Sequence, residues 1–135
     1  MVLNQQRKVR LSRRPLERFL NEVQRCLGVA RREVSVVIVS DRRIRELNER
    51  FRRKPYPTDV LSFPADEETN GYLGDVVISA ETARRNARRV GRRFQDELRV
   101  LILHGVLHLL GYDHEADRGE MNRLEHRLRQ SLRLA

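Results

Sequence analysis

From Asp96 to Leu110 this chain is apolar nearly all round, with Leu98, Leu101, Ile102, Leu103, Val106, Leu107, Leu109 and Leu110 leaving no broad polar face. A helix of that kind has to be central and buried, so the other elements must wrap it. Two histidines interrupt it. His104 and His108 stand four residues apart, a spacing that stacks them on one helix face, one turn above the other. Gly111 follows, free to take the tight left-handed backbone that ends a helix and lets the chain fold back. His114 then approaches the same point from a different direction. Imidazole is the commonest metal ligand, and three neutral imidazoles from a helix and its turn make a tripod with one position open. Catalytic zinc uses such an open set, whereas structural zinc is usually closed by four protein ligands. A single histidine on an apolar helix is an ordinary core residue; three between His104 and His114 read as a metal site.

Length and composition bound the rest. At 135 residues and 39% hydrophobic, the chain is expected to form a single domain over residues 1–135, with a modest core. No apolar run approaches the roughly 20 residues that span a bilayer, so no membrane partner is expected. The start, MVLNQQRKVRLSRRPLERFL, lacks the apolar stretch of a secretion signal. Cys26 is alone and cannot form an internal disulfide, which points to a cytoplasmic protein. Beside Leu27 at a helix end, it reads as a small packed thiol rather than a nucleophile. Net charge is +9, with 26 Arg against 2 Lys, an excess that favours a polyanionic partner such as RNA or DNA. Aromatic residues make up only 5% of the chain, with no Trp. That scarcity argues against a stacking platform for single strands as the main binding mode.

Neither repeats nor linkers divide the chain. Pro15 opens a helical stripe of Leu16, Phe19, Leu20, Val23 and Leu27, closed by Gly28. The run VSVVIV at 34–39 is a buried strand. Ser40 or Asp41 caps the next helix, whose inward stripe is Ile44, Leu47 and Phe51, and Pro55 with Pro57 breaks it. Strands follow at Thr58–Phe63 and Tyr72–Ile78, and Ser79 caps a helix running to about Val90. In that region Ala83, Ala87, Val90 and Phe94 share one side, while Arg84, Arg85, Arg88, Arg89, Arg92 and Arg93 fill the other. A charge run is usually a solvated face, yet six like charges with no acid among them repel one another. Arg85, Arg88, Arg89 and Arg92 are therefore candidate RNA-phosphate contacts. A last helix covers roughly Asp117 to Leu132, and Val2 to Leu11 is expected to add an edge strand. The elements interleave without a clean βαβ rhythm. The fold class is α+β, a small mixed sheet with helices packed on it and one central helix carrying two metal ligands.

The segment HGVLH has the skeleton of the zinc-peptidase pattern HExxH, but Gly105 stands where that pattern needs a glutamate base. Peptide hydrolysis by that route is disfavoured. Other hydrolysis is not, because zinc itself lowers the pKa of a water to about 7. Asp113 and Glu115 flank His114, placed either to orient a ligand histidine or to sit exposed in a turn. His126, between Glu125 and Arg127, reads as ordinary surface.

Three blocks in order carry a family resemblance. HGVLHLLGYDH (104–114) resembles the signature of the YbeY-type endoribonucleases, the bacterial rRNA maturation factors. LNERFRRKPYPTDVLSFP (47–64) resembles that family's N-x-x-[FY]-R … P-T-[DN]-V-L-S-F-P block, and LGDVVIS (73–79) its L-G-D-[IL]-V-I strand. The resemblance implies an α+β fold and one zinc ion held by residues matching His104, His108 and His114, with Arg52 as the functional arginine. It further implies single-strand-directed RNA cleavage in small-subunit rRNA 3′-end processing and ribosome quality control. Partners implied are rRNA, small-subunit components and an assembly GTPase. The rival reading is an rRNA-binding assembly factor whose metal is mainly structural; a hydrolase of small or peptide substrates is weakened by Gly105. Chemistry supports Arg52, since a guanidinium is a rigid donor fork suited to phosphate and stays charged at any working pH. The blander alternative pairs it with Glu49 or Asp59.

Overall fold

The computed structural model describes residues 1–66, 71–112 and 118–134. Its β-branched runs form the strands β1 (Val2–Asn4), β2 (Glu33–Val39), β3 (Val60–Pro64) and β4 (Tyr72–Ser79). Helices α1 (Arg13–Cys26), α2 (Asp41–Arg52), α3 (Ala80–Val90), α4 (Phe94–Leu109) and α5 (Glu120–Ser131) complete the described architecture. Strand order is β1-β2-β4-β3. β1 and β4 run parallel to β2, with Val2 opposite Val36 and Val36 opposite Val76; β3 is antiparallel to β4, with Ser62 opposite Val76. The sheet is therefore mixed, as its sequence pattern predicts.

Side-chain alternation divides the sheet between two apolar clusters. Val34, Val36, Ile38, Val76 and Ile78 join the larger one, together with Leu16, Leu20 and Val23 of α1, Ile102, Leu103 and Val106 of α4, and Met121 of α5. Val39, Leu61 and Val77 form a smaller cluster with Ile44 of α2. Helix α4 is buried on most of its surface, including Leu98, Ile102, Leu103 and Leu107. The central helix is where its composition requires it.

Three expectations change. The N-terminal strand is only Val2–Asn4, because Gln6 folds back to bond Asn4 and Val9 instead of continuing the ladder. Phe51 and Val90 are each 56% exposed rather than inward. Each falls in the last turn of its helix, just before a left-handed residue, Arg53 or Gly91, redirects the chain. Cys26 is exposed, not packed.

Helices α2 and α3 are tied at their N-termini. Ser40 and Ser79 cap them, accepting from the N–H of Arg43 and Thr82 at 3.2 Å each. The Asp41 carboxylate then accepts from the Ser79 hydroxyl at 2.5 Å and the Thr82 hydroxyl at 2.6 Å, and pairs with Arg85 at 2.8 Å. Glu81 returns the contact by accepting from the Asp41 N–H at 3.0 Å. Burial pushes the Asp41 carboxyl up, but the bonds from Ser79, Thr82 and Arg85 outweigh it and hold the carboxyl below its ordinary value. A lowered folded value means stability that is present above pH about 4 and lost as pH falls through the folded value. Asp41→Asn is expected to cost about 1–3 kcal/mol at neutral pH. The melting-temperature gap to the parent chain should close as pH drops below about 4; a gap that is the same at all pH values would rule this account out.

Candidate active site

Helix α4 presents His104 and His108 one turn apart, both half-buried. Their Nε2 atoms lie 3.0 Å from each other, and the rings meet edge to face at 71°. At that distance either one ring donates its N–H to the other or both turn lone pairs toward one cation. Glu125 of α5 places Oε2 3.7 Å from His104 Nδ1, beyond hydrogen-bond distance. Nitrogens bound to a tetrahedral zinc stand roughly 3.3 Å apart, given bonds of about 2.05 Å, close to the separation seen. Among the described residues no group of three or more His, Cys, Asp or Glu side chains is gathered to hold a metal. His114, the expected third ligand, lies outside the described residues, as do Asp113 and Glu115.

Gly105 acquires a steric reason. A Cβ there would come within 3.0 Å of Val76 Cγ2 and closer still to Cγ1, so only glycine lets α4 sit this close to β4. The Ser62 hydroxyl donates to the Gly105 carbonyl at 2.9 Å, tying the same turn to β3. The missing peptidase glutamate is thus excluded by packing. Alanine's better helix propensity, about 1 kcal/mol, offsets only part of an overpacking penalty of up to about 3 kcal/mol. Gly105→Ala is expected to lose a net 1–2 kcal/mol or so by thermal melting, with Val76→Ala in the same chain recovering part of it. A Gly105→Ala chain as stable as its parent would show that the helix can lift without cost.

After His108, the Gly111 N–H bonds the His108 carbonyl at 3.0 Å and the Tyr112 N–H bonds that of Leu107 at 3.1 Å. With φ +95 at Gly111, this is a Schellman end, and it turns the chain immediately after the second histidine.

His104 opens onto a cleft of about 520 Å³, within the range of ligand sites. Asp59 of β3's approach, Arg92 and Glu97 line one part of it; Asn122, Glu125, His126 and Arg129 of α5 line another. Those four α5 residues recur at helical spacing and so share a face. His126 is exposed, as its reading as surface expects, and it lines this wall of the cleft. The signal was present in that spacing, but only the docking of α5 shows which way its polar face turns.

The expected RNA contacts separate. Arg88 and Arg89 are exposed on α3. Arg85 is held by Asp41, Arg92 by Glu97, and Arg93 by Asp96 at 2.9 Å. One offsetting acid, Asp41, comes from α2; the other two, Asp96 and Glu97, follow the arginine run directly. Arg92 lines the cleft with His104, while Arg52 is not among the residues lining it. Arg52 closes α2 exposed and, among the described residues, pairs with neither Glu49 nor Asp59.

Comparison with known proteins gives the chain a family. The family model described as Endoribonuclease YbeY matches residues 1–133. Endoribonuclease YbeY of Koribacter versatilis is 46% identical over 134 residues, covering 99% of this chain and 86% of that protein. The Aquifex aeolicus protein of the same name is 50% identical over 117 residues, covering 85% of this chain and 77% of its own length. The solution structure of TM1509 from Thermotoga maritima superposes with a TM-score of 0.68 at 32% identity, covering 98% of this chain and 89% of that one. From its first strand to the end of its last helix, this chain belongs to the endoribonuclease YbeY family.

Proposed function

We propose that this chain is an endoribonuclease acting in rRNA maturation, a single domain over residues 1–135 that cuts single-stranded RNA with one zinc ion held by His104, His108 and His114. The observation that supports it best is the convergence of the His104 and His108 Nε2 atoms, 3.0 Å apart, with His104 lining a polar cleft. Family membership supplies RNA as the substrate. When bound, zinc supplies Lewis-acid chemistry that draws charge from a phosphodiester or water oxygen.

The protein's own groups do the positioning. Glu125, itself near Arg129 at 3.8 Å, stands 3.7 Å from His104 Nδ1, placed to orient the ring once the two close to bonding distance. The packing of Gly105 on Val76 fixes the height of α4, and with it both imidazoles, above the sheet. Arg52 carries an exposed guanidinium able to hold a phosphate through two parallel bonds. In this reading the substrate region is the 3′ end of small-subunit rRNA. Small-subunit components and an assembly GTPase are partners, the setting is cytoplasmic, and the same activity serves ribosome quality control.

The direct test incubates metal-loaded, untagged protein with a single-stranded RNA, with and without chelator, and measures metal by mass spectrometry. Cleavage that disappears with the metal is expected. Loaded protein that cuts no RNA yet still supports rRNA maturation would replace this reading with that of a non-catalytic assembly factor.

A further inference from the structure

Residues 49–57, at the end of α2 and beyond it, are all exposed. Within them stand Arg50, Arg52, Arg53 and Lys54, and none forms an ion pair among the described residues. That contrasts with Arg85, Arg92 and Arg93 around α3, each held by a carboxylate. Two aromatic rings share the segment. Phe51 is 56% and Tyr56 54% exposed, and no other aromatic side chain is among the large exposed hydrophobic residues. Arg50 lies over the Phe51 ring at 5.3 Å from its centroid.

The segment is built rather than loose. Buried Asn48 donates through Nδ2 to the Tyr56 carbonyl at 2.9 Å, and its own carbonyl accepts from the Lys54 N–H at 3.3 Å. Tyr56 is therefore anchored by its backbone while its ring faces solvent. Arg53 takes the left-handed conformation, φ 55 and ψ 33, which glycine adopts without penalty and arginine does not. Cations in a last helical turn are favoured by the helix dipole, which accounts for Arg50 and Arg52. The C-cap bonds of α2 account for the left-handed Arg53. They do not account for the exposure of Tyr56, or of Phe51, whose ring partners among the described residues are Phe63, edge to face at 5.2 Å, and the Arg50 guanidinium.

We propose that residues 50–56 form a docking surface for single-stranded RNA, on which Phe51 and Tyr56 stack bases while Arg50, Arg53 and Lys54 hold phosphates. Exposed π-faces beside unneutralised cations are what single strands require. Aromatic residues are too few for stacking to serve the whole molecule, but this one surface concentrates two of them. The inference rests on the endoribonuclease reading and adds to it where the strand lies outside the cleft.

The test measures binding of a fluorescent single-stranded RNA and of an RNA duplex across a salt series, for the parent chain, Tyr56→Ala and Arg53→Gly. Tyr56→Ala is expected to raise the Kd for the single strand about 5- to 150-fold and leave the duplex, whose bases are already stacked, unchanged. Arg53→Gly should weaken both and flatten the single-strand salt slope by about 0.7. Its melting temperature should not fall, since glycine suits that backbone. Unchanged single-strand binding by both variants would overturn the proposal and leave the surface to a protein partner. So would an equal loss on duplex and single strand for Tyr56→Ala. If the parent chain binds and cuts RNA while the variants match it, only this inference falls; a parent that neither binds nor cuts RNA removes the functional reading as well.

Discussion

His108→Ala is expected to lose metal and RNA cleavage together while keeping its fold. His108 is half-buried and belongs to neither apolar cluster, so truncating it leaves the packing of α4 intact. Its Nε2 is one half of the pair that converges at 3.0 Å. Loss of a group that merely supports a ligand costs 10–100-fold in metal affinity, so removing a ligand should cost more than about 100-fold. Metal content by mass spectrometry, cleavage of a single-stranded RNA and a thermal melt would be read on the same preparation. Retained metal with retained cleavage would end the assignment. Retained metal with lost cleavage would give His108 a role in the reaction other than as a ligand.

Arg52→Glu should separate chemistry from metal. The side chain is exposed at the end of α2 and pairs with no carboxylate among the described residues, so charge reversal should leave both melting temperature and metal content near those of the parent. If Arg52 grips the phosphodiester as proposed, cleavage should fall by up to about 10²–10³, the range for losing one group that stabilises developing charge. Arg52→Lys is informative beside it. Lysine keeps the charge but not the two-pronged fork, so an intermediate rate points to bidentate grip of phosphate, and a full rate to charge alone. Wild-type cleavage by Arg52→Glu would remove the residue from the mechanism.

Much of the architecture was readable without coordinates because it rests on local rules. All-round apolarity from Leu98 to Leu110 requires a central helix, and four-residue spacing puts His104 and His108 on one face wherever that helix goes. Gly111 signals the turn after them. Short-range periodicity failed where a helix outlasts its contacts. Phe51 and Val90 continue apolar stripes by counting, yet each occupies a final turn and stays 56% exposed, Phe51 meeting the sheet through an edge-to-face contact with Phe63. His126 is surface, as read, but its neighbours along the chain say nothing of the cleft it lines.

What the sequence alone determined, then, is the helix that carries the paired imidazoles, the mixed sheet below it and the family block containing Arg52. Periodicity and backbone preference act within a turn or two, and residues that close in sequence carry them whole. Only the tertiary structure decided which arginines are neutralised, why position 105 must be glycine, and which aromatic rings face water. Some of these contacts join residues far apart in the chain, though Arg92 with Glu97 and Arg93 with Asp96 are local. Asp41 with Arg85, and Gly105 with Val76, are contacts that exist only once the helices have docked on the sheet.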